Sequence, residues 1–173
     1  VASLLELGAG FHRDFTGREN IYLAGALLGL SRRELRAREG AILDYSGLGS
    51  FADEPLRTYS TGMALRLGFS VAVAVEPDVL ILDEPTSGLD MTARFEIQRL
   101  VSGLVKQGAG LVLVTHDLND IPAEVQRVIV LRNGMVFADG PKAEVLTENV
   151  LEQAFNTRLR IAEMEGHFLA YPG

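Results

Sequence analysis

Aliphatic residues in this chain gather into short unbroken runs and into helical stripes. Val79-Leu80-Ile81-Leu82 and Leu111-Val112-Leu113-Val114 are unbroken, as expected of central parallel strands buried on both faces. Val128-Ile129-Val130-Leu131 is a third such run, followed by Asn133-Gly134 and then Met135-Val136-Phe137. Asn-Gly between apolar runs predicts a type I′ hairpin, because both turn positions need positive φ. A second hairpin is expected where Leu159–Met164 and His167–Tyr171 flank Gly166.

Helices fill the intervals. Ser31-Arg32-Arg33-Glu34 fits a capping box and predicts a helix to about Tyr45. Thr61 to Val75 and Leu89 to about Lys106 read as two more, and Asp117 as the N-cap of a short one. The strand-helix-strand-helix-strand order from Val79 onward predicts an α/β fold with parallel strands. The region from Gly17 to about Gly49 carries no strand signal and predicts a helical lobe beside the sheet.

Composition narrows the options. The 173 residues are 47% hydrophobic and 23% charged, which suits one folded domain. Sixteen Lys+Arg against 23 Asp+Glu give a net charge of −7, which argues against a nucleic-acid partner. No cysteine is present, so thiolate metal sites and cysteine nucleophiles are excluded. The longest apolar runs are too short to span a bilayer, so any link to a membrane is expected to run through a partner.

The chemistry concentrates where the first aliphatic run ends in Asp83-Glu84. Ligands bind at the C-terminal edge of parallel sheets. Consecutive strand residues point to opposite sides, so one carboxylate can serve a magnesium ion and the other a water molecule. A lone Asp-Glu pair would more often be a solvated strand end, but the next residues change that balance. Leu82-Asp83-Glu84-Pro85-Thr86-Ser87-Gly88-Leu89-Asp90 resembles the Walker B and D-loop segment of ATP-binding cassette (ABC) ATPases. The resemblance implies Asp83 as the carboxylate near Mg²⁺ and Glu84 as the general base that polarises the attacking water. It also makes Ser87, Gly88, Leu89 and Asp90 the D-loop.

Two more segments fit that family. Tyr59-Ser60-Thr61-Gly62-Met63 opens a helix and resembles the signature motif, with Thr61 in place of Gly and Met63 in place of Gln. A helix N-terminus with a Ser hydroxyl and a Gly suits an anion. Alone, Ser60 would be an ordinary N-cap. Beside the Walker B match, the resemblance implies that the turn Ser60, Thr61, Gly62, Met63 contacts the γ-phosphate of ATP held by a second subunit. His116, just after the run 111–114, matches the switch histidine, implied to contact that phosphate and orient Glu84 and the water.

No Gly-x-x-x-x-Gly-Lys-[Ser/Thr] loop occurs in the chain. The family order would put that Walker A segment before Val1, so the resemblance implies an incomplete P-loop NTPase of the ABC type, inactive alone. It implies one partial domain over residues 1–173. Its parts would be a helical subdomain at about 15–75, a RecA-like core at about 76–140, and C-terminal helices and hairpin at about 141–173. It also implies a head-to-tail homodimer and an integral membrane permease as partners, with the ATPase peripheral at the cytoplasmic face of the membrane. Leu4 to Phe11, Phe15 to Ile21 and Tyr59 to Val75 resemble exporters of O-antigen or teichoic acid, so polysaccharide is the expected cargo. No Q-loop glutamine is carried over, since Glu6 or Leu7 stands near its place. The rival readings are a non-transport ABC protein of translation or DNA repair, and a non-catalytic interaction module.

Overall fold

The computed structural model describes residues 2–4 and 10–173. The stretch around Glu6 and Leu7, near the place of the family's Q-loop, lies outside the described residues. β1 (Ala2–Leu4), which the sequence pattern did not indicate, pairs in parallel with β2 (Val79–Asp83). β2 pairs in parallel with β3 (Gly110–Val114), giving a three-stranded sheet in the order β1-β2-β3. The crossover between β2 and β3 is α4 (Met91–Lys106), as a βαβ unit requires. Phe69, Leu80, Leu82, Ile97 and Val101 form the core between the sheet, α4 and α3 (Thr61–Val73).

The helical lobe is present as expected. α1 (Gly17–Leu27), α2 (Arg32–Ser46) and α3 close over Ile21, Leu35, Ile42, Leu67 and Val71. Burial of each such side chain is worth about 1.5–3 kcal/mol. The capping box at Ser31 forms both ways: Glu34 N–H donates to Ser31 Oγ, and Ser31 N–H donates to Glu34. A second one, unread in the sequence, caps α1 through Thr16 and Glu19. Asn20, fully buried, accepts from His12 N–H at 2.7 Å and donates to the carbonyls of His12, Phe15 and Thr16. It thereby fixes the entry into α1.

Three expectations need correction. The Val128–Leu131 run is not a parallel strand. It forms β4 (Arg127–Arg132), which pairs antiparallel with β5 (Met135–Pro141) in a separate two-stranded sheet. A continuous aliphatic run does not by itself specify parallel pairing, and the turn that follows it closes a local hairpin at far lower chain-entropy cost. In that turn Asn133 and Gly134 take φ of 51° and 74°, as a type I′ turn demands. Burial on both faces also fails for β3, where Val112 and Val114 are about half exposed. In addition, the helix expected after Asp117 is a single 3₁₀ turn, Leu118–Asp120, with Asp117 accepting from Asn119 N–H.

The C-terminal region has its own core. β4 packs with α5 (Lys142–Val145), α6 (Glu148–Phe155) and the hairpin of β6 (Leu159–Met164) and β7 (His167–Pro172) around Val130, Leu146, Leu151 and Phe168. Among the described residues no helix is long and apolar enough to cross a membrane.

Candidate functional site

The ladder between β2 and β3 ends at the pair Asp83–Val114. One further bond, Glu84 N–H to Val114 O at 2.9 Å, carries the pairing just past the strands. Glu84 then leaves the extended conformation with φ of 46°, a left-handed value uncommon for a residue with a Cβ. This modifies the expected alternation: Asp83 is the last strand residue and is exposed, whereas Glu84 is aimed by a kink rather than by the pleat. Ser87 N–H donates to Glu84 O at 3.1 Å and closes the turn.

The kink brings Glu84 to His116. Nδ1 of His116 lies 2.6 Å from Glu84 Oε1, with the imidazole 80% exposed and the carboxylate 33% exposed. The Glu84 carboxylate, by hydrogen bond and by charge, raises the His116 pKa above its usual value. The pair faces solvent at the C-terminal edge of the parallel sheet, where ligands of such sheets bind.

Beneath this pair lies a buried carboxylate that the sequence did not single out. Asp120 is 4% exposed and accepts from Thr86 Oγ1, from Thr115 Oγ1 at 3.2 Å and from Gln98 Nε2 at 3.3 Å. Arg94 Nε stands 3.4 Å from Asp120, and its Nη2 donates to Asp117 at 2.8 Å. The only prior signal was the Asp117-x-x-Asp120 spacing after His116, which does not announce burial.

The other residues drawn from the sequence cap and pack the helices that flank the pair. Asp90 N-caps α4, accepting from Ala93 N–H at 2.9 Å, with Ser87 and Gly88 exposed ahead of it and Leu89 half-buried against the sheet core. Ser60 N-caps α3, accepting from Met63 N–H at 3.1 Å, and Thr61 is exposed beside it. The first intrahelical bond of α3 runs from Ala64 N–H to Ser60 O, so the N–H groups of Thr61 and Gly62 precede the ladder. Met63 packs its side chain against the helical-lobe core. Gly62 is buried for a reason of packing: a Cβ there would stand 2.6 Å from Ala93 Cβ, in the first turn of α4. Within one chain, therefore, the Ser60 turn abuts the α4 N-terminus, and Glu84 meets His116.

Residues 4–87 match the family model described as ABC transporter. The chain is 46% identical over 133 residues to the O-antigen export system ATP-binding protein RfbB of Klebsiella pneumoniae, covering 77% of this chain and 54% of that protein. It is 38% identical over 146 residues to the teichoic acids export ATP-binding protein TagH of Lactococcus lactis, covering 84% of this chain and 31% of that one. Among solved structures it is similar to cbiO1 from Clostridium perfringens, part of the ABC transporter complex cbiONQ. The TM-score is 0.64 at 28% identity, over 83% of this chain and 57% of that one. The chain thus spans about half the length of the first relative and less of the second. The family match, the two export relatives and the shared fold together make this chain similar to ABC-type ATPases, in particular to those of polysaccharide exporters.

Proposed function

We propose that this chain carries the hydrolytic half-site of an ATP-binding cassette that powers polysaccharide export through a membrane permease. The observation that carries the reading is the contact of His116 with Glu84 at the edge of the parallel sheet. ATP and Mg²⁺ are the proposed ligands, with ATP supplying the terminal phosphate when bound. Mg²⁺ usually takes one or two protein carboxylates and leaves its other positions to water and phosphate. Asp83, a single exposed carboxylate at the end of β2, fits that donor set. Among the described residues no group of three or more His, Asp or Glu side chains gathers to hold a metal without such help.

Glu84 accepts a hydrogen bond from water and draws its proton away as the oxygen attacks. His116 holds the Glu84 carboxylate by one ring nitrogen and presents the rest of its exposed imidazole to the phosphate side. Phosphoryl transfer depends mainly on positioning and charge stabilisation, so a carboxylate base and an imidazole beside the phosphate are the groups this half-site contributes.

Ser60, Thr61, Gly62 and Met63 are proposed to complete the site of a second copy. The helix N-terminus they form has unladdered N–H groups, which favour an anion. Reciprocal use of both sites makes a closed two-fold dimer. Ser87, Gly88, Leu89 and Asp90 would then lie between the two sites. The glycan cargo is supported by the names of the similar export proteins, and the permease partner and the peripheral place at the cytoplasmic face are proposed with it. The division into parts at about 15–75, 76–140 and 141–173 is proposed with it, supported by the separate apolar cores of the helical lobe, the parallel sheet and the C-terminal region.

The test is ATP hydrolysis by a complete cassette containing this chain, with Glu84→Gln alongside. The reading expects a rate loss of about 10²–10⁴-fold, the usual worth of a general base. Hydrolysis unchanged by that substitution would refute it.

A further inference from the structure

We propose that Asp120 is a positioning residue that locks the Glu84 loop and the His116 loop into one arrangement. This deepens the reading above, and its catalytic meaning rests on that reading. The argument is geometric. Backbone pairing between β2 and β3 ends at Glu84 N–H to Val114 O, and both reactive side chains lie beyond that point. Their mutual contact is at the surface, where an 80% exposed imidazole is not held by packing. Something else must fix the two loops.

Asp120 is the group placed to do so. Thr86, 3% exposed, lies two residues past Glu84 and donates its hydroxyl to Asp120. Thr115 immediately precedes His116 and donates its hydroxyl to the same Oδ2 at 3.2 Å. The other oxygen faces Gln98 Nε2 at 3.3 Å and Arg94 Nε at 3.4 Å, both from α4. A buried carboxylate is tolerated only when its lone pairs are filled, and here the donors come from three separate stretches of chain. Losing any one stretch leaves the charge under-satisfied, so the carboxylate favours the single arrangement that keeps all of them. The turn Leu118–Asp120 holds the residue in place, with Asp117 bound to Arg94 beside it.

The test uses Asp120→Asn, which preserves shape but cannot accept from all these donors, and Thr86→Val as a milder variant. In the 173-residue chain, the nuclear Overhauser contact between the His116 ring and the Glu84 side chain is measured by NMR, together with the β2–β3 cross-strand contacts. The expected result is loss of the His116–Glu84 contact with the cross-strand contacts intact. A merely structural role would lower the melting temperature and leave the contact at wild-type strength in the folded variants, and that result overturns the proposal. If Asp120→Asn does not fold, Thr86→Val decides. In a complete cassette, Asp120→Asn is expected to lower kcat about 10- to 100-fold with KM for ATP held within about twofold, the signature of lost alignment rather than lost binding. If kcat is unchanged by Asp120→Asn in a cassette that Glu84→Gln disables, the proposal falls. If Glu84→Gln itself has no effect, the functional reading falls, and the NMR contact still decides the role of Asp120.

Discussion

His116 Nδ1 and Glu84 Oε1 stand 2.6 Å apart across 32 residues of sequence, each at the end of one strand of a parallel pair. Because the carboxylate raises the imidazole pKa above 6.5, protonation and contact are linked. The folded chain binds this proton more tightly than the unfolded chain. The contribution to stability is therefore fully present below pH 6.5 and is lost as pH rises through the raised folded value. An NMR titration of the His116 ring is expected to show a midpoint above 6.5 that falls back toward it in Glu84→Gln. An identical midpoint in both proteins would contradict the contact.

The close approach of α3 and α4 depends on Gly62. An added methyl would meet Ala93 Cβ at 2.6 Å, and α4 begins at the Asp90 cap. Gly62→Ala is expected to destabilise by about 1–3 kcal/mol, the usual cost of overpacking. Ala93→Gly in the same chain should recover part of that loss. Thermal unfolding of both variants measures it.

Lys142 is buried, and among the described residues no carboxylate forms an ion pair with it. Its ammonium instead donates to the carbonyls of Pro122, Ala123 and Gly166 at 3.1, 2.9 and 2.9 Å and lies over the Phe168 ring. Burial pushes its pKa down. It ties the loop after the Asp120 turn to the β6–β7 hairpin. Lys142→Met keeps the stem but strands three carbonyls, and is expected to cost about 2–3 kcal/mol. Urea unfolding checks this, with Lys142→Arg as a partial rescue.

Sequence alone was most informative where the signal is local. The Ser31–Glu34 capping box, the Asn133-Gly134 turn and the aliphatic strands before Asp83 and after Gly110 are each decided by neighbours within a few residues. The Thr16–Glu19 box carries the same local signal in Thr-Gly-Arg-Glu. The partner of β4 was not legible, because an aliphatic run reports burial and says nothing of which strand lies beside it. Glu84 and His116 were legible through resemblance, since spacing alone leaves a strand-end His structural more often than not. Asp120 and Lys142 owe their surroundings to contacts 34 and 24 residues away, which no local pattern encodes. Gly62 was read for an anion, and its buried packing against Ala93 emerged only from three-dimensional placement.

The most direct measurement is a double-mutant cycle in ATP hydrolysis by a complete cassette containing this chain, with Glu84→Gln, His116→Ala and the two combined. If the pair acts as a unit on one water and one phosphate, each single variant loses most of the rate and the double variant is scarcely worse than the poorer single one. Losses that simply multiply, or a full rate retained by either single variant, would contradict the account.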